Sequence, residues 1–122
     1  QYYKDYGVIY AFKGVAGVSK FGYYDGGTSN KTIDLDFFPR LLVIKRINGS
    51  AHWMVYDQFR SGATASGESM WPYLAWNNNE QEHSSNDDVD LYESGSTKGV
   101  KLLGDSNYTN QSGGIYIYLA FA

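Results

Sequence analysis

Residues 32–56 read Thr-Ile-Asp-Leu-Asp-Phe-Phe-Pro-Arg-Leu-Leu-Val-Ile-Lys-Arg-Ile-Asn-Gly-Ser-Ala-His-Trp-Met-Val-Tyr. Over 32–38, Ile33, Leu35 and Phe37 alternate with Thr32, Asp34 and Asp36, the period of a strand with one face to bury. Pro39 interrupts the run, and residues 41–47 then carry a nearly continuous apolar stretch, as a central strand does. Asn48-Gly49 supplies the positive φ values of a tight hairpin turn, and residues 52–56 form the returning strand, with Trp53 and Val55 on one face. Two strands, a turn and a third strand within 25 residues place the chain in the all-β class.

The pattern extends in both directions. Upstream, Asp25-Gly26-Gly27 marks a turn after a short strand over 20–24, and Gly14 and Gly17 punctuate the chain before it. Residues 1–13 read as an additional strand, with Tyr2, Tyr6, Val8, Tyr10 and Phe12 on one face. Downstream, residues 60–69 form a small-residue loop, and Pro72 confines residues 70–76 to an edge strand or ordered loop. Residues 77–88 are polar, and strands over 89–93, 100–103 and 115–121 complete the set. In the last, Ile115, Ile117, Leu119 and Phe121 share one face, and Tyr116, Tyr118, Ala120 and Ala122 the other. Eight or nine short strands predict an antiparallel β-sandwich of jelly-roll type, with an N-terminal extension strand (1–16) and a sandwich domain (17–122).

Composition narrows the function. With 122 residues and no Cys, the chain has neither a disulfide framework nor a thiolate metal site. A net charge of −3 argues against nucleic acid as a partner. The longest apolar run, residues 114–122, falls well short of the roughly 20 residues of a membrane helix. Charge is uneven: residues 1–60 carry 8 basic and 5 acidic groups, and residues 61–122 carry 2 and 8, a polarity that favours head-to-tail contact between copies. No cofactor is implied.

Several segments resemble phage tail and tail-fibre β-domains. The run 32–46 is similar to their "DLGF-x-P" strand followed by an "LVIKR"-like strand, and Trp53-Met54-Val55-Tyr56-Asp57 with Arg60 is similar to their "W-x-V-Y-D…R". Residues 113–122 resemble the closing "G-x-Y-I-Y-x-A-F-A" strand, and residues 21–27 the "G-x-Y-x-G-N-G" lead-in. Asp36 departs from the pattern, standing where Gly is usual. The resemblance implies an extracellular structural or host-attachment module and no catalytic residues.

The expected function is therefore a non-enzymatic subunit of an extracellular filament, tail fibre or appendage, whose partners are copies of itself. Tyr2, Tyr6, Val8, Tyr10 and Phe12 are its candidate self-assembly face, donated to a neighbour, against the plainer reading of a first strand in its own sandwich. The alternative is a glycan- or receptor-binding domain using Trp71, Tyr73 and Trp76 beside residues 77–82, against the plainer reading that these rings seal one end of the sandwich. Asn30, Asn48, Asn107 and Asn110 each begin an N-x-[ST] motif open to glycosylation, although Asn, Ser and Thr crowd turns anyway. Asp87, Asp88, Asp90 and Glu93 could ligate Ca²⁺ or pair as glycosidase carboxylates, but without EF-hand spacing they read as a solvated face. His52 and His83 read as surface or turn histidines, and Lys45 and Arg46 as stems extending their charges to solvent.

Overall fold

The computed structural model describes residues 9–83 and 88–122. Its eight strands are β1 (Ser19–Asp25), β2 (Lys31–Asp34), β3 (Leu41–Arg46), β4 (Trp53–Asp57), β5 (Tyr73–Ala75), β6 (Val89–Ser94), β7 (Thr97–Leu102) and β8 (Ile115–Phe121). They form two antiparallel sheets, one in the order β1-β8-β3-β4-β5 and one in the order β2-β7-β6. The sandwich expected from the sequence is what the chain forms. The β3–β4–β5 run is a meander within one sheet, a part of the topology that a jelly-roll wrap does not describe.

One helical turn, α1 (Gln58–Ser61), follows β4; the Asp57 carboxylate caps it by accepting from Phe59 N, and Gly62 ends it in the left-handed conformation. β2 is shorter than the alternation over 32–38 suggests, because Asp36 adopts φ 69 and turns the chain, although Leu35 and Phe37 still reach the core. Asp36 thus stands in the left-handed region that favours glycine.

The hairpin between β3 and β4 is present, but its turn is not the tight Asn48-Gly49 one. β3 stays paired to β8 through Arg46↔Tyr116, while β4 begins only at Trp53 opposite Lys45, so residues 47–52 make a wider loop. Asn48 is turned to other work. Its amide donates to Gly113 O (2.8 Å), and its Oδ1 accepts from Ile115 N (2.8 Å), fastening the loop to the start of β8. Gly49 lies under the Arg46 side chain, where an added Cβ would stand 2.8 Å from Nε.

The core between the sheets is built from Leu42, Ile44, Met54 and Tyr56 on one side and Ile33, Val89, Leu91, Val100 and Leu102 on the other. Tyr24, Tyr116 and Tyr118 also point inward. Tyr24 stacks on Tyr116 with ring centroids 5.1 Å apart, and their hydroxyls donate to the carbonyls of Thr109 and Asn107. Burial pushes the Tyr24 phenol far above its ordinary pKa, with the Tyr116 phenol beside it adding to the shift.

The expected N-terminal strand is not formed in its described part: residues 9–14 belong to no strand, and only Val15 bridges back to Ser19. Tyr2, Tyr6 and Val8 lie outside the described residues.

Candidate functional site

Because tyrosines and Ala120 fill the inner face of β8, its Ile115, Ile117, Leu119 and Phe121 stand on the outer face of the five-stranded sheet. Register continues this face across the strands: Phe21, Leu119, Val43, Val55 and Leu74 form one cross-strand row. Tyr23, Ile117, Lys45 and Trp53 form the next. A sheet face turned away from its own core is usually polar; this one is apolar or aromatic along nearly its whole width.

Residues 9–13 cross this face. Phe12 stacks on Phe21 (centroids 5.2 Å) and meets Phe121 edge-on (6.3 Å), yet stays 55% exposed. Tyr10, Phe12, Phe21, Trp53, Trp76 and Ile117 wall an open groove of about 920 Å³. Of the expected assembly residues, then, Tyr10 and Phe12 do lie on an apolar surface, but as exposed members of an irregular segment.

The sheet's two edges differ. Beyond β5, His83 closes the ladder with Tyr73, its N donating to Tyr73 O at 3.0 Å. In the second sheet, residues 66–70 close the outer edge of β6 through Leu91 N→Glu68 O, Met70 N→Val89 O and Gly67 N→Leu91 O. β1 pairs with β8, and on its other edge Val15 meets Ser19, leaving residues 20–25 without a ladder partner on that side among those described.

Where the groove reaches the 47–52 loop it passes into a polar bay of about 540 Å³, sharing Trp53 and Asn77 with it and adding Lys45, Ser50, His52, Asn107 and Tyr108. His52 stacks on Tyr108 (centroids 5.7 Å) and its Nδ1 lies 3.1 Å from Asn77 Nδ2. Lys45 and Arg46, expected from the sequence to extend their charges to solvent, are instead held by nearby oxygens. Lys45 Nζ donates to the carbonyls of Arg46 (2.7 Å) and Ala51 (2.9 Å), and the Arg46 guanidinium donates to Asn48, Asn107 and Gln111. The early stop of β4 pairing and the folding back of the 47–52 loop bring these oxygens within reach.

The aromatic trio is not one platform. Tyr73 is buried and stacks on His83 (5.0 Å), whereas Trp71 and Trp76 are exposed, and of the two only Trp76 lines the groove. Trp53, which the sequence reading assigned only to a strand face, is its aromatic companion there. His83 also faces Glu80, with Nε2 at 2.9 Å from the carboxylate.

The four sequon asparagines all serve as loop fasteners. Asn110 is fully buried: its Oδ1 accepts from Gly27 N, and its Nδ2 donates to Ser29 O (2.8 Å) and Gly104 O (2.6 Å). A glycan on that nitrogen is incompatible with the fold. Asn107 holds Arg46 and Ser50 O; Asn30 accepts from Gly104 N; Asn48 is fixed as above, and Asn30 and Asn48 are exposed.

Of the carboxylates, Asp87 lies outside the described residues, Asp88 accepts from Ser106 Oγ, and Glu93 pairs with Lys98 (3.5 Å). No cluster of three potential metal ligands occurs among the described residues. No helix among them is long and apolar enough to cross a membrane.

No curated protein and no solved structure matches this chain. A family described as a domain of unknown function (DUF7483) matches residues 2–122, nearly the whole sequence, and the chain belongs to that family.

Proposed function

We propose that this chain is a non-enzymatic structural subunit that assembles with copies of itself, in an extracellular filament, tail fibre or surface appendage. What supports the reading is the apolar outer face of the five-stranded sheet, which runs out to β1, an edge strand whose residues 20–25 have no second ladder partner among the described residues. Val43 and Val55 in the middle of this face are already buried, and covering its exposed parts, Phe12, Tyr23 and Trp76, with a neighbour would remove apolar surface from water at about 25 cal/mol per Å². Strand addition at β1 would supply main-chain hydrogen bonds and fix register. Tyr2, Tyr6 and Val8 of a neighbouring copy, which continue the period-two pattern of Tyr10 and Phe12, are the proposed strand.

The test is sedimentation velocity with negative-stain microscopy on three proteins: the full chain, a variant carrying Tyr23→Lys and Ile117→Lys, and a chain lacking residues 1–13. Tyr23 is 76% exposed and Ile117 is its cross-strand neighbour, so the two lysines leave the core intact. The expected result is regular oligomers or filaments for the full chain and monomers for both variants. A monomeric full chain, or lysine variants that assemble unchanged, would overturn the reading.

A further inference from the structure

We infer that the bay at the end of the β3–β4 hairpin binds a carboxylate-bearing sugar. This does not rest on the assembly reading.

Charge comes first. Lys45 is the cation of the bay's lining, and the oxygens that hold it are neutral, the carbonyls of Arg46 and Ala51; Arg46, outside the lining, is likewise held by the amides of Asn48, Asn107 and Gln111 and not by a carboxylate. The ion pairs of the described residues engage Lys20, Arg60, His83 and Lys98 instead. The bay's lining adds no acidic residue, so its field is positive and favours an anion.

Hydrogen-bonding capacity comes second. Asn77 Oδ1 accepts from Trp53 N (2.9 Å), which orients the amide so that Nδ2 faces His52 Nδ1 as donor. In the neutral imidazole the proton then sits on Nε2, which has no protein partner among the described residues. The hydroxyls of Ser50 and Tyr108 also have none there. Hydroxyls both donate and accept, as sugar hydroxyls do, whereas a bare anion uses donors alone. Stacking surface comes third. Trp53 forms a wall of the bay, and Trp76, 60% exposed, extends the aromatic surface into the groove. A neutral sugar leaves the Lys45 ammonium unanswered; a peptide carboxylate leaves the hydroxyls unanswered. An acidic sugar answers both.

The experiment is saturation-transfer NMR and calorimetry on the full chain with glucuronate, glucose and acetate. Glucuronate is expected to bind at least about tenfold more tightly than glucose or acetate, a difference of about 1.4 kcal/mol. Lys45→Met is expected to erase the preference over glucose. Ser50→Trp, at an exposed loop position, is expected to abolish binding with an unchanged melting transition, a test that holds even if the fold does not tolerate losing Lys45. Equal binding of glucuronate and glucose, acetate binding as well as glucuronate, or undiminished binding in Ser50→Trp would each overturn the inference.

Discussion

Asn110→Asp replaces one NH₂ group by one oxygen and should be among the most damaging single substitutions in this chain. Asn110 is fully buried, and its Nδ2 donates to two backbone carbonyls, Ser29 O at 2.8 Å and Gly104 O at 2.6 Å. The carboxylate would lose both bonds and set a buried acceptor against two acceptors. Two lost bonds and two orphaned carbonyls, with the cost of an unpaired buried charge, amount to about 3–5 kcal/mol. Against a total stability of about 5–15 kcal/mol for a domain of ordinary size, that is a large share. The assay is urea denaturation followed by tryptophan fluorescence. A pH series adds a sign. The buried Asp would have a raised pKa in the fold, so the folded state would hold its proton longer than the unfolded one. The variant's deficit should therefore be smallest in acid and grow as pH rises from the unfolded Asp value of about 3.9 toward the folded one. Thr109→Val is the control, because the Thr109 hydroxyl is buried without a partner among the described residues and its removal should cost about 0.5 kcal/mol or less. A deficit for Asn110→Asp below about 1 kcal/mol, or one independent of pH, would refute the reasoning.

Two further predictions concern backbone approach and acid sensitivity. Gly99 in β7 leaves no room for a Cβ, which would stand 2.1 Å from Ile33 O and 2.9 Å from Leu35 N. Since both atoms are backbone, β2 itself would have to move, and Gly99→Ala should cost about 2–4 kcal/mol by the same urea titration; a loss under about 1 kcal/mol would mean that β2 shifts freely. Glu68 accepts from the N–H groups of Thr64 (2.6 Å) and Ala65 (2.9 Å), which hold its carboxyl below the ordinary 4.5. A lowered folded pKa gives stability that is present above the unfolded value and lost as pH falls through the folded one. The advantage of the native chain over Glu68→Gln should therefore be present near neutral pH and fall away as the pH drops below the ordinary carboxylate range, and a constant difference would reject the ionic contact.

The strand content was legible because period two survives wherever one face is buried; residues 115–121, for instance, are the bounds of β8 itself. Which face goes inward was not legible from hydropathy. Ile115, Ile117, Leu119 and Phe121 are the greasier set, yet Tyr116 and Tyr118 point to the core, because residues 106–111 bring the carbonyl of Asn107 and the N–H of Gln111 to the Tyr116 hydroxyl. The parity of residues 73–76 did hold a signal: Tyr73 and Ala75 alternate with Leu74 and Trp76, so Tyr73 could not share a face with Trp76. The bay was hidden for a different reason. Lys45, His52 and Trp53 are close in sequence, but Asn77 and Asn107 come from two remote loops, and no spacing rule joins them. The Asn48-Gly49 turn was misjudged because its signal is local, whereas the loop is shaped by Arg46 lying on Gly49 and by the pairing of β3 with β8.

The open edge of β1 sets a counting rule for any assembly. His83 meets Tyr73 at the far side of the same sheet, so among the described residues that sheet has a valence of one for strand addition. If two β1 edges met each other, they would satisfy that valence about a twofold axis and growth would end at a dimer. Growth without end through β1 needs a strand that is not one of this sheet's five, carried by each copy and laid on the next. The stoichiometry seen in the ultracentrifuge therefore reports where the added strand comes from: a closed pair means edge meeting edge, and an unbounded series means that each chain lends a segment forward.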